Sequence, residues 1–113
     1  MKEVLVSNFR VNDARESSKW YARLGFDVEG GHQFAPGMPY YLFLKRGDNL
    51  LHLSEHKGDA KPDSLVYFYV NDVDAVAAEF GEKVKSQPWG CREVWLKDPD
   101  GNRLRIGTRN TTE

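Results

Sequence analysis

Val11-Asn12-Asp13-Ala14-Arg15-Glu16-Ser17-Ser18-Lys19-Trp20-Tyr21-Ala22-Arg23-Leu24-Gly25 and Val70-Asn71-Asp72-Val73-Asp74-Ala75-Val76-Ala77-Ala78-Glu79-Phe80-Gly81 begin on the same three residues and end on the same one. Each follows an apolar, strand-like run, and such self-similarity is the mark of an internal duplication. In the first copy Asp13 is the expected helix N-cap, with Glu16 three places on as its capping-box partner. Trp20, Tyr21 and Leu24 then supply a buried stripe, and Gly25 ends the helix. In the second copy Asp72 caps, Val73, Val76, Ala77 and Phe80 fall at helical spacing, and Gly81 stops it.

Working outward, a second match pairs the turn Gly47-Asp48-Asn49 with Asp100-Gly101-Asn102, each leading into an alternating strand. Asn49 then corresponds to Asn102, Leu51 to Leu104, His52 to Arg105 and Leu53 to Ile106. Candidate strands run from Phe26 to Glu29 and Tyr40 to Lys45 in the first copy, and from Lys83 to Ser86 and Glu93 to Lys97 in the second. Each half therefore reads strand, helix, then three strands. The expected organisation is an α+β fold in a single domain, residues 1–113, built of two tandem βαβββ modules: about 1–56, a linker 57–63, and about 64–110. Gly30-Gly31 and Ala35-Pro36-Gly37-Met38-Pro39 mark a loop within the first module.

Neighbouring residues on a strand face opposite ways. Leu51, Leu53, Val66, Phe68, Val70, Val94, Leu96, Leu104 and Ile106 form the set expected beneath the helices. The other face carries His52 and Ser54, Leu65, Tyr67 and Tyr69, Glu93 and Trp95, Arg103 and Arg105. Water-facing sheet surface is ordinarily short-chain and polar, whereas a ligand groove needs flat apolar surface with a few placed hydrogen-bonding groups. This face has the second composition; burial in a dimer interface is the other reading it allows.

A formal net charge of −1 offers no electrostatic footprint for nucleic acid or an anionic membrane. Met1-Lys2-Glu3-Val4-Leu5-Val6 leads directly into a strand-like segment with no leader or membrane-spanning stretch, so a cytoplasmic location is expected. The single cysteine, Cys91, is a packing residue. No serine, histidine and acid arrangement, phosphate loop or carboxylate pair stands out. His52 and His56 lie about 13 Å apart if their strand is extended, too far to share one ion. His32, in a glycine-flanked loop, reads as solvated.

Gln87-Pro88-Trp89-Gly90-Cys91-Arg92-Glu93-Val94-Trp95-Leu96-Lys97-Asp98-Pro99-Asp100-Gly101-Asn102 resembles the segment Q-P-W-G-R-E-x-x-L-x-D-P-x-G-N of bleomycin-resistance proteins, from which it departs by the extra Cys91. Tyr21-Ala22-Arg23-Leu24-Gly25-Phe26 is similar to the signature closing the first helix across the glyoxalase, or vicinal oxygen chelate, superfamily. Leu51-His52-Leu53-Ser54-Glu55-His56 resembles the fourth strand of other members. The resemblance implies that each module curls into half of an open, barrel-like cleft, usually within a homodimer. The D-P-x-G-N piece has its own physical reading as a fold determinant: Pro99 fixes φ, Gly101 tolerates positive φ, and Asp98 ties back to the turn's amides.

Metal-dependent members of that superfamily hold an ion with side chains from strands one, four, five and eight. Counting from the two Val-Asn-Asp repeats places the equivalent positions at Val6, His52, Leu65 and Arg105, and neither an aliphatic chain nor a guanidinium donates a lone pair. No metal or cofactor is therefore expected. The resemblance implies a protein that sequesters an aromatic or amphipathic small molecule, of the bleomycin type or otherwise. Trp89 is the expected stacking platform, with Trp95, Tyr67 and Tyr69 as the wall, His52 and Ser54 as hydrogen-bonding groups and Arg105 as the hold on an anionic or planar group; Phe34 and Tyr41 close over the ligand. An enzyme, either metal-dependent or a metal-free isomerase using His52 as base, and a protein-interaction module are the alternatives.

Overall fold

The computed structural model describes residues 2–61 and 63–110. The first compact unit comprises Met1–Ser64 with Asp98–Asn102, and the second Leu65–Lys97 with Arg103–Glu113. Met1, in the expected first module, and Pro62, in the expected linker, lie outside the described residues.

The first unit runs β1 (Ser7–Arg10), α1 (Ala14–Arg23), β2 (Asp27–His32), β3 (Tyr41–Arg46) and β4 (Asn49–Ser54), in a sheet ordered β1-β4-β3-β2. Asp13 caps α1 as expected, its carboxylate accepting the Glu16 N–H at 3.1 Å. The reciprocal half of the capping box is replaced: the Glu16 carboxylate accepts from Lys19 Nζ at 2.6 Å instead. Tyr21 and Leu24 are buried beside Phe9, Leu44, Leu51 and Leu53, so α1 covers one face of the sheet and leaves the other.

The second unit runs β5 (Leu65–Tyr69), α2 (Val73–Phe80), β6 (Lys85–Gln87), β7 (Cys91–Lys97) and β8 (Arg103–Arg109), in a sheet ordered β5-β8-β7-β6. It repeats the first plan. Asp72 caps α2 by accepting the Ala75 N–H, and Val73, Val76 and Ala77 are buried with Val94, Leu96, Leu104 and Ile106. The fold is thus α+β with two βαβββ modules, as the duplication indicates.

β2 differs from expectation: it takes in Gly30-Gly31 and His32, read above as loop, with its register against β3 shifting between Val28 and Gly30. The strand-like segment that follows Val6 is β1, starting at Ser7, and Leu5 ahead of it is 96% exposed. The parallel pairings also place Asn8 level with His52 and Tyr67 level with Arg105, so Val6 and Leu65 lie two residues ahead of the level positions. Counting from a repeat fixes a strand's neighbourhood; only the cross-strand hydrogen bonds fix its register.

The segment Asp98–Asn102, which joins β7 to β8 in sequence, is organised by Asp98. Its Oδ1 accepts the N–H groups of Asp100 and Asn102, both at 2.9 Å, and Gly101 takes φ +89°, as the turn reading anticipates. Asn102 is fully buried, and its Nδ2 donates to the Arg10 carbonyl at 3.0 Å. Asn49, its partner by sequence match, is exposed beside a two-residue hairpin turn, and its Nδ2 donates to the Arg46 carbonyl.

Candidate functional site

In the first unit the sheet face away from α1 gathers Asn8, Tyr41, Phe43 and His52. Asn8 and Phe43 flank His52 in register on the two neighbouring strands. The His52 ring lies 4.9 Å from Phe43 and 5.1 Å from Tyr41. Asn8 Nδ2 donates to Tyr41 Oη at 2.7 Å, and Tyr41 Oη lies 2.9 Å from His52 Nδ1. Tyr41 Oη thus bridges the Asn8 amide and the His52 imidazole, so that Nδ1 is engaged in either tautomer of the ring. Burial lowers the His52 pKa and so favours the neutral ring. Burial, reinforced by Asp59, raises the pKa of Tyr41. His52 is thus a ring biased toward its neutral form, with one nitrogen already engaged by Tyr41.

Beside it opens a hollow of about 370 Å³ lined by His32, Phe34, Tyr41, Phe43, His56 and Asp59. Phe34 is 73% exposed and presents its ring edge-on to His32 at 4.5 Å and His56 at 6.1 Å. His32, expected to be merely solvated, therefore forms part of an aromatic rim. Ser54 departs from expectation. It is fully buried, donates to Asp59 Oδ2 at 2.5 Å and accepts the His56 N–H at 3.1 Å. Its hydroxyl holds the chain leaving β4 rather than facing a ligand, because β4 ends there and the polypeptide turns back over it.

In the second unit the face away from α2 carries Tyr67, Arg105 and Trp95 in one cross-strand row. The Arg105 guanidinium lies 4.3 Å from the centre of the Trp95 ring, and that of Arg109 lies 4.3 Å from Tyr69. Tyr67 and Tyr69 are 4.9 Å apart, centre to centre. The residue that organises this face is Glu93, only 1% exposed. Its Oε2 accepts from Trp89 Nε1 at 3.1 Å and its Oε1 from Trp95 Nε1 at 3.0 Å. A buried carboxylate is costly unless its oxygens are hydrogen-bonded, and here two indoles supply the donors. Trp89 and Trp95 in turn are held at fixed orientations while keeping 62% and 55% of their surface exposed.

Cys91, the extra residue relative to the Q-P-W-G-R-E pattern, begins β7 and is buried as a packing residue, with Tyr67 Oη 3.6 Å from its sulfur. Gly107 makes room for it: a Cβ at that position would stand 2.6 Å from Cys91 Sγ.

Within their own units the structure brings together Tyr41 and His52 with Phe34 at the rim, and Trp89, Trp95, Tyr67, Tyr69 and Arg105. Sequence reading missed Asn8, Phe43 and the clamping role of Glu93. Phe43 was accessible by alternation with Tyr41. Glu93 is two residues from Trp95 on the same strand face and four from Trp89 across a turn, a spacing that could have signalled a shared contact. Within each unit the level pair, Asn8 with His52 in the first and Tyr67 with Arg105 in the second, is no set of metal ligands. Among the described residues no cluster of three or more His, Cys, Asp or Glu side chains could hold one.

A sequence profile described as glyoxalase superfamily protein matches residues 2–113. No curated protein matches the chain significantly. Among solved structures, a bleomycin resistance determinant encoded on the transposon Tn5 superimposes with a TM-score of 0.78 at 20% identity, over 97% of this chain and 100% of that one. TnmS3, an antibiotic binding protein from Streptomyces sp. CB03234, gives 0.76 at 23% identity, over 97% and 98%. A lactoylglutathione lyase from Agrobacterium tumefaciens gives 0.69 at 20% identity, over 96% and 94%. At these identities the likeness is one of fold, shared by binders and an enzyme alike.

Proposed function

The chain belongs to the glyoxalase superfamily, and from that premise we propose that it is a small-molecule binding protein that sequesters a planar aromatic or amphipathic compound, an antibiotic among the candidates. The observation that carries this reading is the Glu93 clamp. It presents two indoles, Trp89 and Trp95, to solvent in set orientations. Rings ordered before a ligand arrives lose little conformational freedom when it stacks on them, which is the physical advantage of a preformed site. Tyr67, Tyr69 and Arg105 extend the same surface. In the first unit Tyr41, Phe43 and Phe34 offer a second aromatic hollow, with His52 as a hydrogen-bonding group. The bleomycin resistance determinant and the antibiotic binding protein support the reading as folds used for such a purpose.

A homodimer belongs to the same reading, since exposed apolar side chains such as Val28 and Leu5 gain by burial against a second copy. Sedimentation at micromolar concentration tests it. The binding itself is tested by a thermal-shift screen of bleomycin-type drugs, other antibiotics and aromatic acids, followed by titration of tryptophan emission. Saturable quenching together with a raised thermal midpoint is the expected result. A panel that moves neither signal would remove the reading.

A further inference from the structure

We propose that the compound bound on the β5–β8–β7–β6 sheet is a planar aromatic anion, in its simplest form an aromatic carboxylate. This rests on the binding reading above and adds the sign of the ligand's charge. Register and alternation together place Arg105, Arg109, Lys97 and Lys85 on the face turned away from α2: Arg105 is in the row of Tyr67 and Trp95, Lys85 is level with Glu93, Arg109 is level with Cys91 and Lys97 with Arg103. The acid of that face, Glu93, is buried with both oxygens engaged by indole N–H groups. On the opposite, helix side Arg92 is neutralised by Asp74 through contacts of 2.6 and 2.8 Å. A chain whose formal net charge is −1 has therefore collected unbalanced positive charge on the same surface as its exposed aromatic rings.

The geometry of the arginines defines the chemistry further. Arg105 and Arg109 make no ion pair among the described residues, and each lies against a ring, Trp95 and Tyr69 respectively. A guanidinium stacked on a ring keeps its N–H groups at its edge, where a carboxylate accepts two parallel hydrogen bonds. A ligand that places a carboxylate at that edge can lay its own ring on the neighbouring Tyr67 and Tyr69 or on Trp89. A cationic ligand would meet like charge at the same position.

The test uses naphthoate, naphthamide and naphthylmethylammonium, which share one ring system and differ in charge, with tryptophan quenching and thermal midpoint as readouts. Naphthoate is expected to bind about tenfold or more tightly than the amide, and to weaken as salt screens the arginines. Arg105→Gln should bring naphthoate down to the affinity of the amide, and Arg105→Lys should restore only part because the planar fork is lost. If Arg105→Gln fails to fold by circular dichroism, Arg109→Gln, at the exposed end of β8, must itself weaken naphthoate. Equal binding of the three probes, or wild-type naphthoate affinity in the folded arginine variants, would overturn the inference while leaving the binder reading standing. Silence from every probe in both readouts would overturn the inference, and silence from the wider screen as well would remove the binder reading.

Discussion

Tyr21 in α1 donates its phenolic proton to Asp98 at 2.7 Å, in a buried contact that fastens the Asp98–Asn102 turn to the first unit. Asp98 Oδ2 also accepts from Asn102 Nδ2 at 3.0 Å, while its Oδ1 holds two backbone amides of the turn. Burial and the adjoining carboxylate push the Tyr21 pKa far above the ordinary phenol range, so it remains a donor at any working pH. Tyr21→Phe removes this one bond and keeps the ring that packs against Phe9 and Phe26. A hydrogen bond to a charged group is worth about 1.5–3 kcal/mol, and urea unfolding should register a loss of that size with an unchanged slope. A variant as stable as the parent would mean that the turn is held by its backbone bonds alone.

Glu93→Gln addresses the clamp. The amide offers one oxygen where the carboxylate offered two, so one indole N–H faces an NH₂ group instead of an acceptor. Relief of a buried charge opposes the lost bond, and global stability should change by about 1 kcal/mol or less. Trp89, the more exposed ring, should gain freedom. Ordering a side chain on binding costs about 0.5–1.5 kcal/mol, so affinity for a stacking ligand should fall about two- to tenfold, with lower tryptophan anisotropy in the free protein. Unchanged anisotropy and affinity would show that the carboxylate does not set the rings.

The parts of this architecture that could be read from sequence are those encoded locally. Asp13 and Asp72 announce helices because a cap acts within three residues, and Asp98 announces its turn for the same reason. The extent of β2 was not legible, because Gly30-Gly31 carry a loop's composition while the pairing partner that defines the strand lies in β3. Ser54 alternates correctly with His52, yet the buried contact with Asp59 that removes it from the open face depends on how the chain leaves the strand. Glu93 was visible as a polar residue on the right face; that it serves two tryptophans depends on the turn through Gly90, which swings Trp89 back over β7.

His52 should confer a pH dependence on stability. Burial holds its folded-state pKa below the ordinary 6.5, so the unfolded chain takes up the proton more readily. The corresponding stability is present above pH 6.5 and is lost as pH falls from there through the lower folded value. Tyr41, its hydrogen-bond partner, has a raised pKa and stays neutral throughout that window. His52→Gln keeps a hydrogen-bonding partner for the Tyr41 hydroxyl but does not titrate. Thermal midpoints recorded between about pH 7.5 and about pH 5 should fall more steeply for the parent than for the variant. Parallel curves would show that the imidazole is no harder to protonate in the fold than out of it.

Trp89→Ala separates platform from core. The ring sits on the turn between β6 and β7 with 62% of its surface in solvent, so its removal forfeits little burial. Glu93 keeps its bond to Trp95, and water can reach the oxygen that Trp89 vacates. The thermal midpoint should therefore stay within about 5 °C of the parent's, the shift that roughly 1 kcal/mol produces in a domain of this size. Affinity for a stacking ligand should fall at least about tenfold, equivalent to about 1.4 kcal/mol. Trp89→Phe keeps a stacking face and gives up only the N–H, so it should retain most of the affinity. A large drop in midpoint for Trp89→Ala would mean that the ring supports the fold. Loss of binding in both variants alike would mean that its hydrogen bond to Glu93, more than its stacking face, is what the ligand requires.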